Sequence, residues 1–434
     1  MRSRDGGLIW VLKDWIHRRV EPLLYRRVLI PEARFRQKKR VQTVRRQGYV
    51  RITFIVSSLP MWRFQSLYDL LSEDARFKLS IAIYPFRTYS PREKETAMAD
   101  LRRHFTEKGI PYLDLSQEKR PGKALRKTLR PDMLFYPQPY DNLFRNDLAC
   151  WYFRDCLIGY IPYAMLTASG GWAYRSYLNN TAWRLFYPSD ARREEAAKVL
   201  FNGGANIRIS GEVTSDLFST PPQEEVWKPQ ERAKKRIIWA PHHAIHAQSW
   251  LHRDSFNWLS AFMWEIAAKY RDTVQFAFKP HPRLLTELQE HPDWGVEKAA
   301  AYYRQWAEGE NTQLETGSYI DLFKESDAMI HDCGSFSVEY HFTEKPVLFT
   351  THDLDLSVAG QNELGRDGIL AHYIGATEAD IIDFIDNKVL AGNDPRRQER
   401  VDFKTKYLTP PGGRSVAENI YQEMVHSIFT GSTP

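Results

Sequence analysis

Two series of short β-rich runs alternate with helical stretches along this chain, and this alternation restricts the fold more than any other feature. The first series has β-rich runs at residues 51–56, 79–84, 131–136 and 156–163, and ends with a run at 207–211. A proline-rich, charged stretch from Pro221 to Lys235 separates it from a second series, with runs at 236–240, 274–279, 328–331 and 346–350. Strands separated by helices form parallel βαβ units. We therefore predict an α/β protein with two Rossmann-like domains, since 434 residues exceed one ordinary core.

The N-terminal segment differs in composition from the rest of the chain. Arg and Lys are dense up to Arg46 and acidic residues are few, although the whole chain carries only +6. The apolar residues recur at roughly helical spacing, and include Leu8, Ile9, Trp10, Leu12, Trp15, Ile16, Val20, Leu23, Leu24 and Val28. This pattern predicts an amphipathic helix on an anionic membrane, restarted or kinked at Pro22. The alternative is a helix packed on its own domain with a solvated basic face.

Several classes of protein fit the sequence poorly. The three cysteines, Cys150, Cys156 and Cys333, are too few for a disulfide framework and lack metal-ligand spacing. We find neither an apolar run of membrane-spanning length nor a signal-peptide pattern, so we expect a cytoplasmic protein. The basic arm lacks interleaved aromatic residues outside its amphipathic face, so nucleic acid is not an expected partner. The phosphate-loop and nucleophile-elbow motifs of NTPases and esterases are absent.

Two strand ends in the second series carry polar side chains. The first is Lys279-Pro280-His281-Pro282, where the prolines keep the chain extended and a cation lies two residues from an imidazole. This pairing suits a phosphate-bearing ligand, and the alternative is a turn with a surface lysine and a packed histidine. The second runs from Asp332 to Glu339, where a Gly-Ser turn leads from a strand into a helix. Free N–H groups and hydroxyls there would bind an anion, and the alternative is an ordinary serine cap.

A third strand end carries Pro241, His242 and His243, with His246 three residues beyond. Three histidines invite a zinc interpretation, but the spacing matches no established zinc motif and no carboxylate is near in sequence. We predict no metal here, and interpret the segment as a loop that lines an interdomain cleft. Asp353-Leu354-Asp355 has the carboxylate spacing of some metal-dependent sugar transferases, which have a different architecture.

Taken in order, these segments resemble the CDP-glycerol:glycerophosphotransferase family of teichoic acid and capsule synthesis. The family's "Ala-Pro-Thr-Trp", Lys-x-His-Pro and Asp-Tyr-Ser-Ser-x-x-x-Asp motifs correspond to 240–243, 279–282 and 332–339 here. Lys345 to Phe349 with Asp353 to Asp355 resembles its next strand and acidic loop. Ser210-Gly211 with Asp216-Leu217 resembles its Gly-x-Pro-x-x-Asp hinge. The resemblance covers about residues 205–425.

The resemblance implies the GT-B fold, with two Rossmann-like domains facing a cleft. Together with the basic N-terminal composition and the two series of strands, it divides the chain into a basic membrane-associating extension (1–47), an acceptor domain (48–215), a nucleotide-donor domain (216–408) and a C-terminal helix that packs back on the first domain (409–434). It implies transfer of glycerol phosphate, or another polyol phosphate, from a CDP-alcohol to a lipid-linked or cell-surface glycan acceptor, with release of CMP. No cofactor is implied, and the enzyme would act at the inner face of the cell membrane.

The resemblance also suggests roles for individual residues. The catalytic candidates are His281, Lys279 and His243. The donor-binding candidates are Pro241, His242, Arg283, Asp332, Gly334, Ser335, Ser337 and Glu339. The family's Trp-His-Gly loop corresponds to Gly159–Tyr163, which has no histidine. The acceptor-side candidates are therefore Tyr140, Tyr160 and Tyr163, and the sequence identifies no general base in the first domain.

Two other functions fit the same residues. A GT-B glycosyltransferase that uses a nucleotide sugar for surface polysaccharide synthesis would place its donor at the same strand ends. A non-catalytic GT-B-like protein that binds a glycan assembly is favoured by the missing Trp-His-Gly loop.

Overall fold

The computed structural model of the protein describes residues 19–140, 142–168, 171–223, 225–245 and 254–431. It forms two compact units. The first comprises residues up to Ala164, Gly171–Asp216 and the chain from Pro410 onward, and the second comprises Met165–Gly170 and Leu217–Thr409. Each unit is built on a parallel β-sheet with helices on its faces. The prediction of an α/β protein with two Rossmann-like domains is confirmed.

The first unit holds a seven-stranded sheet in the order β3-β2-β1-β4-β5-β6-β7. Its strands are β1 (Val50–Val56), β2 (Phe77–Ile83), β3 (Tyr112–Asp114), β4 (Met133–Tyr136), β5 (Leu157–Tyr160), β6 (Arg184–Tyr187) and β7 (Ile207–Ile209). Its helices before the second unit are α1 (Glu21–Leu24), α2 (Ile30–Gln47), α3 (Gln65–Ser72), α4 (Pro91–Glu107), α5 (Pro121–Leu129), α6 (Tyr177–Thr181), α7 (Asp190–Ala197) and α8 (Thr214–Phe218). A π-helical turn, Tyr25–Leu29, joins α1 to α2, so the helix continues past Pro22.

The second unit holds a six-stranded sheet in the order β10-β9-β8-β11-β12-β13. Its strands are β8 (Lys235–Ala240), β9 (Val274–Phe278), β10 (Thr312–Leu314), β11 (Ala328–His331), β12 (Val347–Thr350) and β13 (Tyr373–Gly375). Its helices are α9 (Ser255–Lys269), α10 (Leu284–Glu290), α11 (Gly295–Glu308), α12 (Ile320–Glu325), α13 (Phe336–Glu339), α14 (Leu354–Ala359), α15 (Glu363–Leu370), α16 (Glu378–Asp383) and α17 (Arg397–Tyr407). β8, β9 and β11 are buried over most of their length, as expected for central parallel strands.

The last helix, α18 (Val416–Val425), belongs to the first unit. Its buried side chains Val416, Ile420 and Met424 join the core formed by β1, β2 and α3. Asp216 accepts hydrogen bonds from the Val416 and Ala417 N–H groups, both at 2.8 Å, and so caps this helix. Gly211 has φ +99°, and a Cβ there would lie 2.8 Å from Pro410 Cβ. The segment that resembles the family's hinge therefore anchors the returning chain.

A short strip of the first half of the sequence is built into the second unit. Asn362 donates its N–H to the Thr167 carbonyl at 2.8 Å and its side-chain amide to the Leu166 carbonyl at 2.7 Å. Ala168 forms an antiparallel bridge with Gln361, and Met165 packs in a core of the second unit. The second unit thus contains two separate pieces of chain.

The N-terminal helical segment has two different sides within its described part, which excludes residues 1–18 and the predicted apolar positions there. Tyr25 is buried and stacks on Phe201, and Val41 and Val44 lie in the core of the first unit. The large apolar side chains exposed to solvent are Val20, Leu23, Leu24, Val28 and Phe35.

Some of the basic residues of this segment bind within the first unit. Arg40 pairs with the fully buried carboxylate of Asp132 at 3.0 Å, and Arg45 donates to the Ile428 and Gly431 carbonyls. These two arginines therefore stabilise the domain, in line with the alternative of a packed helix. Among the helices that the structure describes, none combines the length and hydrophobicity needed to cross a bilayer.

Candidate functional site

Three adjacent strands of the second sheet end at one edge, and each is followed by a segment singled out in the sequence. β8 leads into Pro241–His243, β9 into Lys279–Arg283 and β11 into Asp332–Ser335. The sheet order β9-β8-β11 places these segments side by side. Backbone contacts join the first two, because the His281 N–H donates to the Pro241 carbonyl at 3.0 Å. Ligands of open parallel sheets bind at such carboxyl edges.

Three imidazoles cluster at this edge. The ring centroids of His243 lie 4.2 Å from those of both His242 and His281, and the latter two are 5.0 Å apart. Burial, together with the charges of the nearby His243, Arg283 and Lys279, lowers the pKa of His281 to about 4. Burial likewise lowers the pKa of His243. Both rings are therefore neutral at neutral pH.

Local hydrogen bonds fix the tautomers of two of these rings. The Arg283 N–H donates to His281 Nδ1 at 3.2 Å, and the Ala244 N–H donates to His242 Nδ1 at 3.2 Å. A neutral imidazole that accepts at Nδ1 carries its proton on Nε2. His281 in particular offers an Nε2–H donor, so it suits a hydrogen bond to an anionic oxygen better than removal of a proton.

The same three histidines form the one group with metal-ligand spacing in the part of the chain that the structure describes, with ligand atoms within 4.8 Å of one another. A metal-bound histidine usually donates from its other ring nitrogen to an acceptor. In His242 and His281 that nitrogen instead accepts a backbone N–H, so a metal would require both turns to change. The local structure thus favours three neutral imidazoles over a metal centre.

Lys279 and Arg283 supply positive charge beside the imidazoles in different ways. Lys279 is buried, its Nζ donates to the Gly317 carbonyl at 2.8 Å, and burial lowers its pKa. Arg283 is exposed and pairs with Glu287 on α10. Glu315, which follows β10, is the carboxylate whose charge acts on Lys279. Glu315 was not predicted from the sequence, because β10 has only three residues and no continuous apolar run that would mark it as a strand.

Asp332 connects two segments of the site through hydrogen bonds to their backbone. Its Oδ1 accepts the His242 N–H at 2.6 Å and its Oδ2 accepts the Ser255 N–H at 3.1 Å, and the side chain is fully buried. One carboxylate thereby fixes the loop after β8 and the start of α9. Asp332, which the resemblance suggested as a donor-binding residue, therefore positions the backbone of other segments of the site.

The turn after β11 contains residues with different exposures. Ser335 is exposed at the start of α13, and Gly334 is half-buried. Ser337 is buried and its hydroxyl donates to the Gly334 carbonyl, so it closes the turn. Glu339 is buried and accepts a hydrogen bond from the Tyr319 hydroxyl. Of these candidates, Gly334 and Ser335 are the ones open to a ligand.

The acceptor-side tyrosines of the first unit form a group of their own. Burial is the main cause of the raised pKa values of Tyr140 and Tyr160, and Tyr163 adds to the pKa of both. Tyr160 lies within β5 and is almost fully buried, whereas Tyr140 and Tyr163 are half-buried. Tyr174 and Tyr187, which the sequence analysis did not single out, also act on Tyr160.

Other residues of the family-like motifs have structural tasks. Lys345 donates from Nζ to the Phe323 and Ser326 carbonyls, where α12 ends. Asp353 caps α14 by accepting the Leu356 N–H at 2.9 Å. These hydrogen bonds account for the positions of both side chains without a ligand.

No protein-family model matches the sequence, and no curated protein does either. Solved structures match over most of its length. A UDP-N-acetylglucosamine 2-epimerase is 16% identical with a TM-score of 0.56, covering 89% of this chain and 98% of that one. A variant of the wall teichoic acid polymerase TagF, soaked with CDPG, is 12% identical with a TM-score of 0.55, covering 98% of both chains.

A third match is the UDP-GlcNAc 2-epimerase from Neisseria meningitidis bound to UDP-GlcNAc. It is 15% identical with a TM-score of 0.51, and covers 86% of this chain and 98% of that one. At such identities the likeness is one of fold: the chain has the GT-B-like fold with two Rossmann-like domains.

Proposed function

We propose that the protein transfers a polyol phosphate, such as glycerol phosphate, from a CDP-alcohol to a hydroxyl of a lipid-linked or cell-surface glycan acceptor, and releases CMP. The observation that carries this proposal is the cluster of three imidazoles flanked by Lys279 and Arg283 at the carboxyl edge of the second sheet. The fold it shares with TagF, which was soaked with CDPG, gives further support.

The pyrophosphate of the donor would lie against this cluster. Neutral imidazole N–H groups from His242 and His281 would donate to its oxygens, and Arg283 would add a positive charge. Gly334 and Ser335 offer a second set of polar groups after β11. The buried carboxylate of Asp332 keeps the first loop in place without entering the pyrophosphate site.

The reaction is a substitution at phosphorus. The acceptor oxygen forms a bond to the phosphorus that carries the polyol, the bond from that phosphorus to the bridging oxygen breaks, and the electron pair leaves with CMP. Hydrogen bonds from His281 and His242 would stabilise the negative charge that develops on CMP. His243 is the better candidate base, because its ring is neutral and its Nδ1 has no hydrogen-bond partner among the described residues.

The first unit would hold the acceptor. Tyr140 and Tyr163 are half-buried residues that follow β4 and β5 closely in the chain, and tyrosine hydroxyls can donate to and accept from the hydroxyls of a polyol or sugar chain. We extend the proposal to location: the exposed apolar side chains before α2 would place the protein on the inner face of the cell membrane.

The test measures CMP release from CDP-glycerol and, without any acceptor, CDP-glycerol binding by calorimetry. We expect His281→Ala to lower turnover about a hundredfold, as loss of a preorganised donor does, and His281→Gln to retain part of it. His426→Gln, which changes an exposed imidazole of the first unit, is the matched control. EDTA should leave turnover unchanged. A wild-type protein that neither binds any CDP-alcohol nor releases CMP contradicts the proposal.

A second candidate function is chemistry on a nucleotide sugar. The observation that favours it is the shared fold with an epimerase bound to UDP-GlcNAc. Release of UDP or GDP from nucleotide sugars, or epimerisation of the sugar, would establish this function in place of the first. A cellular phenotype that survives His281→Ala would favour the third alternative, a non-catalytic binding protein.

A further inference from the structure

A second cluster of cations lies in the first unit and shares no residue with the candidate donor site. It lines an open pocket of about 490 Å³ and consists of Arg87, Arg120, Lys123 and Arg145, with Asp147 as the one carboxylate of the lining. All four cations are exposed. The proposed donor chemistry gives these residues no task.

The pocket is fixed by backbone contacts. Gly122, in the first turn of α5, lets the segment that carries Arg145 approach closely, because a Cβ at Gly122 would lie 1.4 Å from the Asp147 carbonyl oxygen. The Arg87 N–H donates to the Leu143 carbonyl at 2.8 Å. The hydroxyl of the fully buried Tyr136 donates to the Leu148 carbonyl at 2.8 Å. Three separate segments therefore hold their cations at one place.

The charges in this pocket are largely uncompensated. Arg145 pairs with Asp147 at 3.6 Å. Within the described ranges, Arg87, Arg120 and Lys123 make no ion pair with a carboxylate. Like charges held together repel each other, so an anion that enters the pocket gains interactions with several cations at once. α5 also begins here, and it has no acidic residue in its first turn and no side-chain cap.

The pocket continues toward the N-terminal helix. An adjoining cavity of about 600 Å³ shares Asn146, Asp147 and Tyr152 with it and is also lined by Arg36 of α2 and by Arg154. The segment just before α2 exposes Leu23, Leu24 and Val28. Arg36 and these exposed apolar residues belong to one continuous helical segment, and a segment with both kinds of side chain suits the boundary between the headgroups and acyl chains of a membrane.

We propose that the pocket of Arg87, Arg120, Lys123 and Arg145 binds a phosphate ester, of the kind that a lipid headgroup presents at the membrane surface. The ligand would be a phosphate group whose oxygens interact with at least three of these four cations. The site is independent of the proposed transferase reaction, since it can fail while CDP-glycerol binding persists, and the reverse.

The test compares the double variant Arg120→Gln/Lys123→Gln with Lys108→Gln/Lys127→Gln. The control removes the same charge from exposed lysines outside the pocket, one of them on α5 itself. Arg87→Gln, from a different segment, is a second pocket variant. Thermal unfolding of each variant checks that the fold is retained, as expected for exposed side chains.

Two probes are used with the full-length protein: glycerol 3-phosphate in calorimetry, and phosphatidylcholine vesicles with a one-fifth share of phosphatidylglycerol in co-sedimentation. We expect the pocket variants to weaken binding of the phosphate about tenfold or more, and added salt to weaken the wild type. Loss of vesicle binding beyond that of the control identifies a lipid headgroup as the source. If the pocket variants lose affinity for glycerol 3-phosphate but sediment with vesicles as the control does, the ligand is a soluble phosphate ester. Equal effects in pocket and control variants, or none, overturn the proposal.

Discussion

At the scale of single residues, hydrogen bonds separate side chains that would contact a ligand from side chains that position them. Both carboxylate oxygens of Asp332 accept hydrogen bonds from backbone N–H groups. In His281, Nδ1 accepts such a bond and the Nε2–H can donate to a ligand. The motif sequence alone could not make this distinction, because the partners of Asp332 lie 77 and 90 positions away along the chain. Glu315 could not be predicted for a similar reason: it is distant from Lys279 in the sequence and acts on it only once the sheet has folded.

We predict that Asp332→Asn lowers the stability of the second unit by about 1–3 kcal/mol. An amide offers one acceptor oxygen and turns an N–H toward the second backbone N–H, where the carboxylate accepts both. Urea unfolding followed by tryptophan fluorescence measures the effect. Asp353→Asn is the control, because Asp353 caps α14 through one oxygen and asparagine caps equally well. Equal unfolding midpoints for the two variants would show that the two hydrogen bonds of Asp332 do not stabilise the second unit more than an ordinary helix cap does.

At the scale of elements, the sequence predicted most of the central strands and the edge strand β7, but it missed the central strand β6 and three edge strands. β1, β9 and β11 are runs of buried apolar residues and were visible as such. β3, β10 and β13 have three residues each and lie at sheet edges, where one side faces less protein, so no continuous apolar run marks them. The sequence motifs placed all three ligand loops at strand ends, but the contacts among the imidazoles depend on the pairing of β8 with β9.

The cap of α18 leads to a prediction for that helix. Removing the Asp216 carboxylate in Asp216→Ala leaves the Val416 and Ala417 N–H groups without their acceptor, at a cost of about 1–2 kcal/mol. We expect amide hydrogen exchange in α18 to speed up by a factor of roughly 5–30. Exchange in α9 of the second unit serves as the internal reference. Unchanged protection of α18 would show that Ser415 alone suffices as its cap.

A buried imidazole pair in the second unit makes stability depend on pH. His341 and His372 are fully buried, with ring centroids 4.6 Å apart, and burial lowers the pKa of His341 to about 3 and lowers that of His372. The charge of Arg400, which is also buried, contributes to the lowering of both pKa values. The unfolded chain takes up these protons near pH 6.5 and the folded chain does not.

Stability should therefore be flat above about pH 6.5 and fall as the pH decreases toward 3, by up to about 1.4 kcal/mol per pH unit for each histidine. Urea unfolding at a series of pH values measures this slope. His341→Gln and His372→Gln should each flatten it, whereas His291→Gln, outside this buried cluster, should not. An unchanged slope in both buried variants would assign acid sensitivity to other groups.

At the scale of the whole molecule, the apolar residues exposed before α2 predict reversible binding to anionic membranes. We expect the protein to co-sediment with vesicles that contain phosphatidylglycerol, more weakly as salt is added. Leu23→Glu/Leu24→Glu should reduce the bound fraction several-fold, because two carboxylates replace apolar contact and repel the anionic surface. Val296→Glu, at an exposed apolar position of the second unit, is the control. Binding that survives the double change would place the membrane contact elsewhere.

The strip from Met165 to Ala168 has a practical consequence for anyone who divides this gene. The polypeptide passes between the two units four times, so cutting at 216 and 409 yields a fragment that lacks a piece of its own domain. That fragment would leave Asn362 without the Leu166 and Thr167 carbonyls and would expose the apolar surface that Met165 covers. A separately expressed second unit needs residues 165–170 supplied as a peptide or fused through a new linker.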